Sequence, residues 1–173
     1  MKKLFIINGS GASGKDTFVE MVRKEVGNNL VFNYSSIDLI KNIARKCGWD
    51  NGKTEKDRMF LSELKRICTQ YNDLPMKDCI NAFHYFMESS EMEFMFLHIR
   101  EPEEIVRTIR SIELTNTDVE IKTILIKRHD TKWGNLSDDN VEQYSYDIVI
   151  ENDEDLNCLA NAVSSFIESY IKS

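Results

Sequence analysis

The sequence predicts an α/β fold in three layers, α/β/α, around a mostly parallel five-stranded sheet. Three observations predict it. Apolar strand-like runs alternate with amphipathic helical stretches along the whole chain, as in a parallel sheet covered on both faces. The run Phe94-Met95-Phe96-Leu97 is continuously apolar, as a strand buried on both sides must be. The first greasy run ends in Gly9-Ser10-Gly11-Ala12-Ser13-Gly14-Lys15, a glycine-rich turn that enters a helical pattern.

The elements follow in order. Residues 3–8 read as strand one. A helix is predicted from about Gly14 to Val26, with Phe18, Met21, Val22 and Val26 in phase and Gly27 as its stop. Leu30 to Tyr34 form a short strand. Ser35 and Ser36 are expected to cap a helix from Ile37 to Cys47. After the turn Asn51-Gly52-Lys53, Thr54 with Asp57 three residues on starts a long helix carrying Phe60, Leu61, Leu64, Ile67, Cys68 and Tyr71 along one stripe. A break at Asn72 to Pro75 precedes another helix to about Glu88. Glu93 to Ile99 is the buried strand, and Pro102 opens a helix to about Ile112, where its missing N–H costs little. Val119 to Ile126 and Tyr146 to Ile150 are strands. Residues 127–140 read as a polar loop or short lid. Asp153 is expected to cap a closing helix through Leu156, Leu159, Ala162, Val163, Phe166, Ile167 and Tyr170.

The chain has 173 residues, a length that predicts one domain with a core that needs no staples. Its net charge of −7 opposes a nucleic-acid-coating surface but allows a small polyphosphate held by local cations. No apolar run approaches the ~20 residues that span a bilayer. The apolar stretch after Met1-Lys2-Lys3 is too short for a signal segment and runs straight into the glycine turn. Neither nucleic acid nor membrane is expected as a partner. Cys47, Cys68, Cys79 and Cys158 are scattered and fall in apolar helical contexts. They read as reduced, buried, inert thiols of a cytoplasmic protein. Monomer and homodimer both stay open.

The glycine turn fits the phosphate-loop form G-x-x-x-x-G-K, with Asp16 where a hydroxyl residue is usual. Glycines let successive N–H groups turn inward around an anion. The following helix adds its positive dipole end, and Lys15 supplies a point charge for β- and γ-phosphates. Gly9, Gly11, Ala12, Ser13, Gly14, Lys15, Asp16 and Thr17 are therefore candidate binders of ATP. Asp16 either binds Mg²⁺ or is a carboxylate stabilised by the helix dipole.

Ligands of open α/β sheets sit beyond the carboxyl ends of the strands. That edge collects Asp38 after strand two, His98, Arg100 and Glu101 after strand three, Arg128, His129 and Asp130 after strand four, and Asn152 and Asp153 after strand five. Asp38 either orients a phosphate acceptor or is solvated. Arg100 either binds phosphate or pairs with Glu103 or Glu104. Arg128, with Lys127 and Lys132, is either a lid cation over the γ-phosphate or part of a solvated turn. Arg58 and Lys65 face either substrate or water. Trp49 and Trp133 stack on a base or anchor loops.

The run Gly9 to Thr17 resembles the phosphate loop of bacteriophage-type deoxynucleoside monophosphate kinases and, more loosely, of phosphomevalonate kinases, both relatives of adenylate kinase. His98-Ile99-Arg100-Glu101-Pro102-Glu103-Glu104-Ile105 is similar to that family's strand-end motif, and Tyr146 to Asp153 to its closing strand. The resemblance implies a P-loop NTPase (adenylate kinase-like) fold over residues 1–173, with acceptor-binding helices at about 36–90 and a lid at about 128–140. It implies ATP and Mg²⁺ as cofactors and a small-molecule nucleotide as substrate. On it, Lys15 and Arg128 stabilise the transferring phosphate, Arg100 holds the acceptor phosphate, and the end of the closing strand, at Asn152, lies near the adenine. One departure stands out: His98 occupies a place where the family usually has an acid. Asp16 or Glu101 must then organise Mg²⁺, or catalysis is weak.

Overall fold

A computed structural model describes residues 1–116, 118–128, 141–153 and 156–172. Along the chain run β1 (Lys2–Asn8), α1 (Lys15–Val26), β2 (Val31–Ser35), α2 (Asp38–Lys46), α3 (Glu55–Asn72), α4 (Leu74–Glu88), β3 (Phe94–His98), α5 (Pro102–Thr115), β4 (Val119–Lys127), β5 (Ile148–Glu151) and α6 (Leu156–Phe166). A 3-10 turn (Val141–Gln143) precedes β5, and a π-helical turn (Ile167–Ile171) follows α6. The strands form one five-stranded sheet in the order β2-β3-β1-β4-β5. Every pairing is parallel.

Alternation along β1 divides the core. Phe5 and Ile7 point to the face covered by α1 and α6, where they meet Phe18, Val22, Leu159, Val163 and Phe166. Leu4 and Ile6 point to the opposite face, against Phe83, Phe86, Ile105 and Ile112 of α4 and α5. Both sets are fully buried, so the central strand is apolar at every position from 4 to 7. Phe166 joins the layers on the first face. Its ring centroid lies 5.0 Å from Phe5 and 5.3 Å from Phe18, both edge-on.

Several expected features take a different form. Ser35 and Ser36 do not cap α2. Ser35 is still paired in the sheet, opposite His98, and the Ser36 N–H donates to the His98 carbonyl at 3.0 Å. The Asp38 carboxylate instead accepts from the Ser35 N–H at 3.1 Å. The break before α4 narrows to Asp73, which adopts φ 58°. Pro75 then sits within the first turn of α4, where no N–H is required. The capping box of Thr54 and Asp57 forms as expected.

The apolar stripe of α3 is not core. None of its residues is buried, and Met59, Ile67 and Tyr71 are exposed. This helix packs chiefly on α2 and α4. Of the cysteines only Cys79 is buried; Cys47 ends α2 in solvent, and Cys68 and Cys158 are half-buried. None of the four is joined in a disulfide. Burial raises the Cys79 thiol to about 12, which keeps it inert.

Because Phe166 closes one whole face, Phe166→Ala is expected to cost about 3–5 kcal/mol in chemical denaturation. A loss below about 1 kcal/mol would show that neighbouring rings fill the gap.

Candidate active site

The turn between β1 and α1 is fixed by close approach. Gly9 has φ 152°, and a Cβ there would lie 2.4 Å from the Ile126 carbonyl oxygen and 2.6 Å from Ser13 Oγ. Gly14 has φ 97°, and a Cβ there would lie 2.4 Å from Asn152 Nδ2. Neither position admits a side chain. Ala12 between them holds φ 61°, while Gly11 is exposed with open space around it.

Two asparagines pin this turn to the sheet. Asn8 ends β1 and is buried. Its Oδ1 accepts from the Gly9 N–H at 2.8 Å, and its Nδ2 donates to the Arg100 carbonyl and to Tyr146 Oη, each at 2.8 Å. Tyr146 Oη in turn donates to the Val141 carbonyl at 2.9 Å. Asn152 follows β5; its Nδ2 donates to the Ser13 carbonyl at 2.8 Å, and its backbone N–H to the Lys127 carbonyl at 2.8 Å. Lys15 Nζ donates to the Gly9 and Ser10 carbonyls at 2.7 and 2.8 Å. The ammonium therefore lies folded over the turn that it closes.

A cavity of about 590 Å³ opens beside the turn. Residues Ala12 to Thr17 line it together with Arg128, Asn152, Leu156 and Leu159. Most of the expected nucleotide-side residues thus converge. Gly9 lies buried beneath them, and Asp16 and Thr17 are exposed. Asp38, Arg100 and Arg58 do not line this cavity. Asp38 starts α2, Arg100 follows β3, and Arg58 is exposed on the first turns of α3. His129, Asp130, Lys132 and Trp133 lie outside the described residues, as does most of the expected lid. So do residues 154–155, on which a cap by Asp153 depends. Lys127 pairs with Glu142 at 3.0 Å, and Trp49 packs under Arg45 rather than in the cavity.

Beyond β3, Lys65 of α3 pairs with two acids at the start of α5: its Nζ lies 2.7 Å from Glu101 and 2.9 Å from Glu104. Glu101 is therefore engaged by an ammonium group. Burial opposes the charge on Lys65, but the two carboxylates outweigh it and hold its pKa above the usual value. Burial, helped by Glu101, pushes Glu104 up to about 7 despite Lys65. Nearby, Tyr34 donates to Asp78, and burial with this carboxylate raises the phenol. Asp38, Asp78, Glu101 and Glu104 make the wall between β2, α4 and α5 acid-rich.

Next to the turn, His98 Nδ1 lies 3.9 Å from Asp16 Oδ1. Among the described residues no group of three His, Cys, Asp or Glu side chains converges on a metal position. A divalent ion here fits only as part of a nucleotide complex, with Asp16 as an accessible oxygen donor: its side chain is 95% exposed. Asn8 and Tyr146 were not anticipated as parts of the site. The signal was present for Asn8, a lone polar residue closing an apolar strand; none existed for Tyr146.

No protein-family model matches the chain, and no curated protein matches it. Solved structures do. A sugar kinase from Janibacter sp. aligns over 98% of this chain and 96% of its own at 12% identity, TM-score 0.55. Shikimate kinase from Bacteroides thetaiotaomicron aligns over 96% of each chain at 15% identity, TM-score 0.50. Thymidylate kinase from Ehrlichia chaffeensis aligns over 97% and 99% at 13% identity, with TM-score 0.46. The chain has the fold of the P-loop kinases. Among the described residues no helix is long and apolar enough to cross a membrane.

Two predictions follow from these contacts. Gly14→Ala is expected to destabilise the fold by at least about 1 kcal/mol in chemical denaturation, by displacing Asn152 and straining a positive φ; an unchanged midpoint contradicts the fit. Glu104 binds its proton more tightly in the folded chain than its ordinary value of 4.5 allows in the unfolded one. Its contribution to stability is thus present at low pH and lost as pH rises through about 7. Glu104→Gln should flatten the fall in thermal midpoint between about pH 5 and 8; an unaltered slope would assign that fall to other groups.

Proposed function

We propose that the chain is a cytoplasmic ATP- and Mg²⁺-dependent phosphotransferase that passes the γ-phosphoryl group of ATP to a (deoxy)nucleoside monophosphate. The observation that carries this reading is the turn itself. Its backbone is held by Asn8 and Asn152 around the Lys15 ammonium group, at the mouth of a cavity of about 590 Å³. That volume lies within the usual range for small-ligand pockets, about 300–1,000 Å³.

On this reading the triphosphate lies along the turn, with backbone N–H groups and the start of α1 facing its oxygens. Lys15 exchanges its bonds to the Gly9 and Ser10 carbonyls for the β- and γ-phosphates. Leu156 and Leu159 offer an apolar wall for the base, and Arg128 reaches the cavity from the end of β4. Asn152 acts by holding Ser13 in place. Asp16 would hold a divalent ion bound with the triphosphate, which would supply positive charge to the group in transfer. Arg100 and Asp38 stand on the acceptor side. An acceptor oxygen forms the new bond to phosphorus as the bond to the β-phosphate oxygen breaks, and ADP leaves. Catalysis is then positioning plus electrostatics.

A second acceptor class, a small hydroxylated or phosphorylated metabolite, draws support from the sugar kinase, which aligns with a TM-score of 0.55.

An ADP-release assay across nucleoside monophosphates and small polyols separates the two. Lys15→Ala is expected to lower turnover by about 10²–10³, the usual loss for one charge-stabilising donor. Near-normal rates in that variant would refute the mechanism.

A further inference from the structure

Lys65, Glu101 and Glu104 form a charged cluster that the transfer mechanism leaves unused. Lys65 lies in the middle of α3 with its side chain 14% exposed, and its Nζ bridges Glu101 at 2.7 Å and Glu104 at 2.9 Å. These acids are the N-cap and the third residue of α5, yet Glu101 makes no side-chain cap bond to its own helix. Both carboxylates are turned to α3 instead. An ammonium group so enclosed gives up most of its water and depends on both partners staying in place. The cluster therefore fixes where α3 stands.

It begins one residue beyond Arg100. The backbone there is held at successive residues by different elements. The His98 carbonyl accepts from the Ser36 N–H at 3.0 Å, the Ile99 N–H donates to the Ile7 carbonyl at 3.3 Å, and the Arg100 carbonyl accepts from Asn8 Nδ2 at 2.8 Å. Glu101 extends the series to α3. The sheet thus sets Arg100, and Lys65 sets α3 against it. None of the residues of α3 is buried, so packing alone leaves this helix loosely held. Arg58 precedes Lys65 by seven residues, a spacing that places both on one side of α3. A second ion pair, Arg107 with Asp73, joins α5 to the residue after α3, more than a turn further along α5 than Glu101.

We propose that Lys65 is a positioning residue for the phosphate acceptor: through Glu101 and Glu104 it holds α3, and Arg58 with it, at a fixed distance from Arg100. The inference rests on the phosphotransferase reading above, with Arg100 on the acceptor side. Lys65 itself touches no substrate, because its ammonium group is occupied by the two carboxylates. Its removal releases α3 and leaves two acids facing each other beside Arg100, where like charges repel. The acceptor loses the wall that α3 gives it. The turn between β1 and α1, held by Asn8 and Asn152, keeps its hold on the triphosphate.

The test follows ADP release by the full chain with ATP, Mg²⁺ and each of dAMP, dGMP, dCMP and dTMP. For the acceptor that turns over fastest, Lys65→Met should raise the acceptor KM roughly tenfold or more, within the ~10²-fold cost of a misplacement of about 1 Å. The KM for ATP should stay as it is. Lys65→Arg, which keeps the charge and offers a fork to the two carboxylates, should restore the acceptor KM. Arg107→Gln, which breaks the other tie, should leave that KM unchanged, as a merely structural role for Lys65 would not predict. If Lys65→Met does not fold, Glu101→Gln carries the test, with a smaller rise in the same KM. An unchanged acceptor KM in a folded variant, an equal rise in Arg107→Gln, or a parallel rise in both KM values overturns the positioning role and leaves the phosphotransferase reading intact. No transfer to any of the four acceptors by the wild type overturns the nucleotide-acceptor reading and this assignment with it.

Discussion

The structure depends on one close approach: the backbone between β1 and α1 passes so near its neighbours that two of its residues have no room for a Cβ. At Gly9 the obstacle is the carbonyl of Ile126 on β4, and at Gly14 it is the amide of Asn152 after β5. The turn is therefore wedged against the carboxyl ends of two strands, with its shape set by the sheet rather than by the turn alone. Asn8 and Asn152 convert that contact into hydrogen bonds from both sides. A cradle held in this way loses little entropy when an anion enters it.

Other features take their places from the same edge. Parallel pairing aligns the strand ends, so that side chains far apart in the chain, such as Asn8, His98, Arg128 and Asn152, gather around the turn. Asn8 also reaches the Arg100 carbonyl and Tyr146, tying the end of β3 and the approach to β5 to the turn. Of the helices between β2 and β3, α3 is held least firmly. α3 buries none of its residues, and its tie to the core beyond α2 and α4 runs through Lys65 to Glu101 and Glu104.

What could be read without coordinates had physical reasons to be readable. Strand and helix periods are local, so the order of elements followed from apolar spacing, and the turn followed from its glycines and Lys15. The continuous apolarity of Phe94 to Leu97 marked a buried strand because both faces are covered. The failures share a cause too. The stripe of α3 has a core-like period, but periodicity cannot say whether a sheet lies beneath it. The partner of Lys65 and the absence of serine caps at α2 were set by tertiary neighbours. Asn152 lay near the expected nucleotide site, yet its observed contact is to the loop backbone, which no spacing rule encodes. His98 was visible as a departure from a familiar pattern; its alignment with Asp16 required the register of β1 and β3.

The central claim is that the pinned turn and the Lys15 ammonium group together bind a polyphosphate tail, whatever base or acceptor accompanies it. Competition between inorganic tripolyphosphate and ATP, followed calorimetrically with a divalent ion present, tests it most directly. The account predicts a single saturable ATP site, with an affinity in the range on the order of 1 μM to 1 mM, from which tripolyphosphate displaces ATP. Absence of measurable heat with ATP, or ATP binding that tripolyphosphate leaves untouched, would contradict it.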